Sequence, residues 1–205
     1  MIKHLIFDFG GVFLYLEGEN RAVHYNLHKL LNIPEEKAIE LWKEHKEGLM
    51  IGTETPEQFL MRMGSYLGIS INVDEAHEKW KQLNKMEKDK IDWVLVDYVE
   101  SLKKNYKIHM LSNVIGLDSG VSDWINAINK NFDNIYKSFE IGHKKPNKEA
   151  YLHVLEKIKA KPEECVFVDD IQKNVDAASD LGIGGILYTD LEKLKKDFGT
   201  IGIIL

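Results

Sequence analysis

The segment His4–Val12, HLIFDFGGV, carries an aspartate at the end of an apolar run and two glycines just after it. The run His4–Phe9 has the short, continuous apolar pattern that predicts a strand buried on both faces. The glycines allow a tight turn and a close approach of the backbone to a ligand. Asp8 alone is typical of a turn or capping residue, but it could also act as a carboxylate nucleophile if a cation lay beside it.

Three further short apolar runs predict strands at Lys107–Ser112, Cys165–Asp169 and Gly185–Tyr188. Between them, apolar residues recur at helical spacing over 91–102, 121–128 and 151–158. This alternation predicts an α/β protein, with a Rossmann-like parallel sheet and helices on both faces. In such a sheet, ligands bind at the carboxyl ends of the strands.

Residues 16–88 interrupt the alternation, because they contain helical patterns and no strand pattern. The helical stretches are Arg21–Leu31, Pro34–His45, Pro56–Leu67 and Val73–Lys85. We expect a small all-helical cap domain at 16–88, inserted after the first strand. Residues 1–15 and 89–205 then form the α/β core domain, and the cap lies over the carboxyl end of the first strand.

Composition excludes several classes of protein. The 205 residues include 27 Lys and Arg and 33 Asp and Glu, which give a net charge of -6. The basic residues are scattered among acidic ones, so a nucleic-acid partner is disfavoured. The single Cys165 cannot form an internal disulfide. No apolar run approaches the ~18 residues of a membrane span. We expect a soluble, cytoplasmic protein without a membrane partner, and the sequence does not indicate its oligomeric state.

Two polar clusters follow predicted strands or lie in nearby loops. Ser112 and Asn113 end the second strand, where a hydroxyl and an amide could donate hydrogen bonds to phosphate or could simply form a turn. Lys144 and Lys145 precede a helix that Asn147 is expected to cap. Pro146 favours an extended backbone at Lys145, which would direct its ammonium out of the loop, although a solvated lysine is the usual case.

A third cluster is the pair Asp169 and Asp170 at the end of a buried strand, with Asn174 following. Adjacent buried carboxylates repel unless a cation or hydrogen-bond donors neutralise them. Their hard oxygen atoms suit Mg²⁺. The alternative is an acid pair that complements a helix dipole, although one acid would suffice for that. All the clusters fall at one end of a parallel sheet, so we expect them to converge.

The order of these clusters resembles the four motifs of the haloacid dehalogenase superfamily: an acid before Gly-Val, then Ser-Asn, Lys-Pro and Asp-Asp. The resemblance spans nearly the whole chain. The insertion resembles the helical cap of the branch that contains sugar-phosphate phosphatases and the phosphatase domain of soluble epoxide hydrolases. The resemblance implies a Mg²⁺-dependent phosphatase that hydrolyses a small-metabolite phosphate monoester, such as a sugar phosphate, through an aspartyl-phosphate.

The resemblance also implies roles for single residues. Asp8 is the nucleophile, Ser112 and Asn113 hold the phosphoryl group, and Lys145 bridges Asp8 and the phosphate. Such a site needs positive charge, because a dianionic phosphate must approach a carboxylate.

The resemblance further implies a Mg²⁺ site between Asp8, the backbone carbonyl of Gly10 and Asp170. Asp169 is either a further ligand or a residue that supports the ligands. Only the carbonyl of Gly10 is required, so the lack of a side chain does not harm this site.

Gly10 departs from the family pattern, which has a second Asp there as general acid and base. Losing a positioned acid or base costs roughly 10²- to 10⁴-fold in rate. The resemblance then implies a slow enzyme, or one that prefers glycosyl and acyl phosphates, whose leaving groups need little protonation. Glu17, where the chain enters the cap, is a possible stand-in acid or base.

Three other functions remain open. A pseudophosphatase would bind a phosphorylated ligand without turnover, and Gly10 favours it. A 2-haloacid dehalogenase would use Asp8 to attack carbon without a metal, but the Asp169 and Asp170 pair disfavours it. A phosphomutase would also need an acid at position 10.

Overall fold

The computed structural model describes residues 1–14, 23–84, 90–117 and 128–205. Its centre is a five-stranded parallel sheet, which confirms the predicted fold class. The strands are β1 (His4–Phe7), β2 (Lys107–Ser112), β3 (Asn134–Lys137), β4 (Cys165–Asp169) and β5 (Gly184–Leu187). Their spatial order is β3-β2-β1-β4-β5.

This order places a topological switch point between β1 and β4. The chain proceeds from β1 to β2 and β3 on one side, and then continues with β4 and β5 on the other. Open α/β sheets bind ligands in the crevice at such a point, beyond the carboxyl ends of the strands. The Asp8 backbone N–H donates to the Val168 carbonyl at 2.9 Å, so the ends of β1 and β4 are directly joined.

Every element within residues 23–84 is helical, as predicted for the cap. The helices are α1 (Val23–Leu31), α2 (Glu35–His45), α3 (Glu47–Met50), α4 (Pro56–Leu67) and α5 (Val73–Leu83). At the start of α4, Thr55 and Gln58 form the reciprocal capping box that satisfies two helix N–H groups. The boundaries predicted at residues 15/16 and 88/89 lie outside the described residues.

Helices cover both faces of the sheet. They are α6 (Trp93–Leu102), α7 (Ser138–Ile141), α8 (Lys148–Ile158), α9 (Gln172–Ser179) and α10 (Leu191–Thr200). Side chains alternate along a strand, so Leu5 and Phe7 join one apolar core cluster and Ile6 joins another. Apart from Ile128, the helix predicted over 121–128 lies outside the described residues. In the described part of the chain, no helix has the length and apolar character to cross a bilayer.

The apolar core of the cap includes residues from the α/β domain. Ile115 and Leu117, which follow β2, belong to the same buried cluster as Trp80 of α5. Gly52, with φ +72°, lies so close to the Phe139 carbonyl that a Cβ at this position would overlap it. The cap is therefore held against the segments that follow β2 and β3, and these segments also carry predicted site residues.

The structure differs from the sequence predictions at several elements. Strand β3 was not predicted, because its four residues include one buried side chain and give no apolar run. Strand β1 ends at Phe7 rather than Phe9. Asn147 occupies the N-cap position of α8, but its side chain makes no capping hydrogen bond.

A histidine pair, buried His109 and partly exposed His4, joins β1 to β2 at the amino end of the sheet. His4 Nδ1 lies 3.0 Å from His109 Nε2, and His109 Nδ1 lies 3.2 Å from Asn134 Nδ2. Burial is the main cause that lowers the pKa of His109 to about 4, and the nearby His4 lowers it further. The folded protein therefore holds this ring neutral at neutral pH.

Acid should destabilise the fold through His109. His109 takes up a proton below pH ~6.5 in the unfolded state but only near pH 4 in the folded state. Between these pH values protonation favours the unfolded state, so the free energy of unfolding decreases as the pH falls. We expect His109→Gln to remove about 2–3 kcal/mol of the stability change between pH 7 and pH 4, measured by urea denaturation. His143→Gln, at an exposed position, is the matched control. If the free energy of unfolding depended on pH identically in His109→Gln and the wild type, the lowered pKa of His109 would be contradicted.

Candidate active site

The carboxyl ends of β1 and β4 bring Asp8 and Asp169 to either side of the Lys145 ammonium. Lys145 Nζ lies 2.8 Å from Asp8 Oδ1 and 2.7 Å from Asp169 Oδ2. Lys145 is 2% exposed and Asp169 is 0% exposed. The structure thus joins residues from three of the four predicted clusters in one buried ion triad, a carboxylate, an ammonium and a second carboxylate.

Burial sets the electrostatics of Asp8. Its pKa is raised to about 6: removal from water is the main cause, the neighbouring Lys145 opposes it, and Asp169 raises the pKa further. The Phe9 N–H donates to Asp8 Oδ1 at 2.7 Å and further favours the ionised form. The lysine is therefore the principal group that keeps this carboxylate usable as an anion near neutral pH.

Asp169 is held in place by several donors. Its oxygens accept from Lys145 Nζ, from the Ile171 N–H at 2.8 Å and from Asn174 Nδ2 at 3.0 and 3.1 Å. Asn174 is itself held by Tyr151, whose hydroxyl donates to the backbone carbonyl of Asn174 at 2.8 Å. Burial, together with Asp169 and Asp8, raises the pKa of Tyr151, so the hydroxyl keeps the proton that it donates.

Sequence reasoning noted Asn174 but missed Tyr151. Tyr151 lies on the apolar face of α8, and its spacing there predicts only a core side chain. No sequence signal distinguishes its hydroxyl from that of any other core tyrosine.

The residues present fit a divalent cation. One carboxylate oxygen from each of Asp8, Asp169 and Asp170 lies within 4.8 Å of the other two. Hard oxygen donors at this spacing suit Mg²⁺. Gly11, with φ +86°, lies against the Asp170 carboxylate, and a Cβ there would overlap that group. The lack of a side chain at Gly11 therefore makes room for one of the three acids.

The predicted phosphate-binding pair lies beside this triad. Ser112 is buried at the end of β2. The Asn113 side chain contacts the Lys145 backbone, since Nδ2 donates to the Lys145 carbonyl at 2.8 Å and Oδ1 accepts from the Lys145 N–H at 2.9 Å. Ser138, which sequence reasoning missed, makes a similar pair of bonds with the Val114 backbone at 2.9 and 3.0 Å.

Position 10 carries no side chain that could donate a proton. Gly10 forms a bridge with Leu14, which orders the turn after β1. The stand-in acid or base suggested for this role, Glu17, lies outside the described residues.

An ion pair between Lys144 and Glu47, at the start of α3, joins the loop before α8 to the cap. Burial lowers the pKa of the half-buried Lys46, and the nearby charges of Lys144 and Lys173 lower it further.

Fold and site together define a Rossmann-like α/β protein with a carboxylate and lysine centre under a helical cap. The model of the haloacid dehalogenase-like hydrolase family matches residues 2–182. The chain belongs to this family of hydrolases.

Relatives in this family include phosphatases. A D-ribitol-5-phosphate phosphatase of Bacteroides thetaiotaomicron is 26% identical over 195 residues, which cover 89% of this chain and 89% of that protein. A sesquiterpene phosphatase of Aspergillus oryzae is 28% identical over 189 residues, which cover 92% of this chain and 90% of that protein. These relatives agree with an enzyme that hydrolyses phosphate esters.

A solved structure shows the same fold with a metal and phosphate bound. It is a HAD family enzyme from Bacteroides thetaiotaomicron, in complex with magnesium and inorganic phosphate. The TM-score is 0.72 at 24% identity, and the alignment covers 95% of this chain and 99% of that one.

A methyl group at position 11 should weaken Mg²⁺ binding by displacing Asp170. Gly202→Ala is the matched control, because Gly202 has φ +77° and no atom within 4 Å of the added Cβ. Both variants carry left-handed backbone strain of about 1–2 kcal/mol. In calorimetric titrations, we expect Gly11→Ala to weaken Mg²⁺ binding by roughly tenfold or more and Gly202→Ala to leave it unchanged. Equal Mg²⁺ affinity in the two variants would show that Asp170 takes no part in the metal site.

Proposed function

We propose that this protein is a Mg²⁺-dependent phosphatase that hydrolyses a small-metabolite phosphate monoester through an aspartyl-phosphate on Asp8. The observation that carries the proposal is the contact of 2.8 Å between Lys145 Nζ and Asp8 Oδ1 in a buried site that contains two further carboxylates. A carboxylate nucleophile needs such a cation, both to remain ionised and to tolerate an incoming dianion.

Asp8 is oriented for attack by the groups on one of its oxygens. Oδ1 accepts from Lys145 and from the Phe9 N–H, so Oδ2 is the oxygen that we assign to bond formation. Oδ2 attacks phosphorus, the bond between phosphorus and the ester oxygen breaks, and the leaving oxygen takes up a proton. Water then attacks the aspartyl-phosphate, releases inorganic phosphate and restores the carboxylate.

Asp8, Asp170 and the carbonyl of Gly10 are the groups that we propose to hold Mg²⁺. Asp169 has its oxygens engaged by Lys145, Ile171 and Asn174, so it acts mainly by fixing the lysine. Bound Mg²⁺ would supply positive charge that offsets the negative charge of the phosphoryl group. Ser112 and Lys145 are proposed to hold the phosphoryl oxygens.

Gly10 limits the leaving groups that this enzyme can expel rapidly. Without a proton donor at this position, esters with basic leaving alcohols react slowly. Acyl and glycosyl phosphates need little protonation and are the preferred substrates on this proposal. The phosphatase relatives act, by their names, on phosphorylated metabolites, which supports a small organic phosphate as substrate.

A pseudophosphatase is the second candidate, and Gly10 is the observation that favours it. Such a protein would bind a phosphorylated ligand at Lys145 and Ser112 without releasing phosphate. A 2-haloacid dehalogenase would have no use for a carboxylate cluster that fits Mg²⁺. A phosphomutase would also need an acid at position 10, where this chain has Gly10, so Gly10 disfavours that function.

Phosphate release from a panel of acyl, glycosyl, aryl and alkyl phosphates tests the proposal. We expect release that requires both Mg²⁺ and Asp8, with a chelator and Asp8→Asn as controls. Acyl and glycosyl phosphates should rank first, because they need the least help with protonation. Release no greater than that of Asp8→Asn on every substrate would favour the pseudophosphatase. Halide release from 2-haloacids without metal would favour the dehalogenase.

Restoring a carboxyl group at position 10 should change the ranking of substrates. We expect Gly10→Asp to raise kcat/KM on alkyl phosphates by roughly 10²-fold, because the new acid can protonate the leaving oxygen. Acyl phosphates serve as the internal control and should change much less. An equal change in both classes would show that proton donation is not what position 10 lacks.

A further inference from the structure

The Asn113 side chain makes two hydrogen bonds to one residue, Lys145. Its Nδ2 donates to the Lys145 carbonyl at 2.8 Å and its Oδ1 accepts from the Lys145 N–H at 2.9 Å. Both bonds go to the backbone of the residue whose ammonium lies between Asp8 and Asp169. A side chain amide bound in this way fixes both the position and the orientation of that peptide segment.

The segment that carries Asn113 is itself anchored next to this contact. Ser138 Oγ donates to the Val114 carbonyl at 2.9 Å and accepts from the Val114 N–H at 3.0 Å, and Ser138 is fully buried. One residue further on, Ile115 joins the apolar core of the cap. Asn113 therefore projects from a rigid support, so its hydrogen bonds can hold the Lys145 backbone in place.

The position of the Lys145 backbone matters because its ammonium has little freedom. The ammonium lies 2.8 Å from Asp8 and 2.7 Å from Asp169 at once, and all three side chains are buried. Small displacements of charged groups in such sites have large effects on binding and rate. One N–H of the Asn113 amide has no part in the two bonds to Lys145, so a direct contact with phosphate is the alternative that the test must separate.

We propose that Asn113 is a positioning residue, which acts on the phosphoryl group by holding the Lys145 backbone rather than by touching phosphate with its side chain. This inference rests on the proposed function, in which Lys145 contacts the phosphoryl group. It assigns different tasks to the two neighbours: Ser112 contacts the ligand and Asn113 orients the cation.

A double-mutant cycle on inorganic phosphate binding tests the inference. Phosphate affinity, with saturating Mg²⁺, is measured by calorimetry for the wild type, Asn113→Ala, Lys145→Met and the double variant. We expect Asn113→Ala to weaken binding by roughly tenfold in the wild type, since two hydrogen bonds are lost. It should weaken binding by less than twofold in the Lys145→Met background, because the cation that it positions is gone. Asn134→Ala, at the opposite end of the sheet, is the matched control and should leave the affinity unchanged.

The same factor in both backgrounds would overturn the inference in favour of a direct contact between the Asn113 side chain and phosphate. No effect of Asn113→Ala in the wild type would overturn it as well. If the wild type binds no phosphate at all, the proposed function fails, which is a separate result.

A second measurement covers the case in which Lys145→Met does not fold. Reductive methylation followed by peptide mass spectrometry reports how accessible each lysine is. We expect Lys145 to be protected in the wild type and in Asn134→Ala, and to be modified several-fold faster in Asn113→Ala. Two lysines remote from the site, Lys103 at the end of α6 and Lys161 in the loop before β4, should react at unchanged rates. Unchanged protection of Lys145 in a folded Asn113→Ala protein would overturn the inference.

Discussion

The site depends on one buried ammonium that is shared by two carboxylates. Without Lys145, Asp8 and Asp169 would lie close together and away from water, and an uncompensated buried charge typically costs about 3–5 kcal/mol. Burial is the main cause that raises the pKa of Asp8 to about 6, and Lys145 opposes it. On the proposed function, the same ion triad that lets the site fold also keeps the nucleophile ionised and supplies positive charge for an incoming phosphate.

The remaining structure positions this triad. The switch point between β1 and β4 places Asp8 beside Asp169. The hydrogen bond from the Asp8 N–H to the Val168 carbonyl fixes the register of the two strand ends. Tyr151 and Asn174 hold Asp169 from one side, and Asn113 holds the lysine backbone from another. The cap takes part of its own core from the segment after β2, so the cap packs against the segment that carries Asn113.

The sequence predicts the fold and the convergence of Asp8, Lys145 and Asp169, because both follow from short-range patterns. Buried parallel strands appear as apolar runs, and the polar residues at their ends must converge. The supporting contacts could not be predicted: the bonds of Asn113 and Ser138 go to backbone groups, and any of several loop conformations would have left those side chains in solvent. Strand β3 was missed because an edge strand with one buried side chain has no distinctive pattern.

The central claim is that Asp8 becomes covalently phosphorylated, and rapid acid quenching followed by peptide mass spectrometry tests it most directly. With an acyl phosphate and Mg²⁺, we expect one phosphoryl group on the peptide that contains Asp8, and none in Asp8→Asn. Because Gly10 provides no base for the water that attacks the intermediate, this species should accumulate during turnover. Phosphate release at a steady rate with no phosphorylated Asp8 at any quench time, or with Asp8→Asn equally active, would contradict the account.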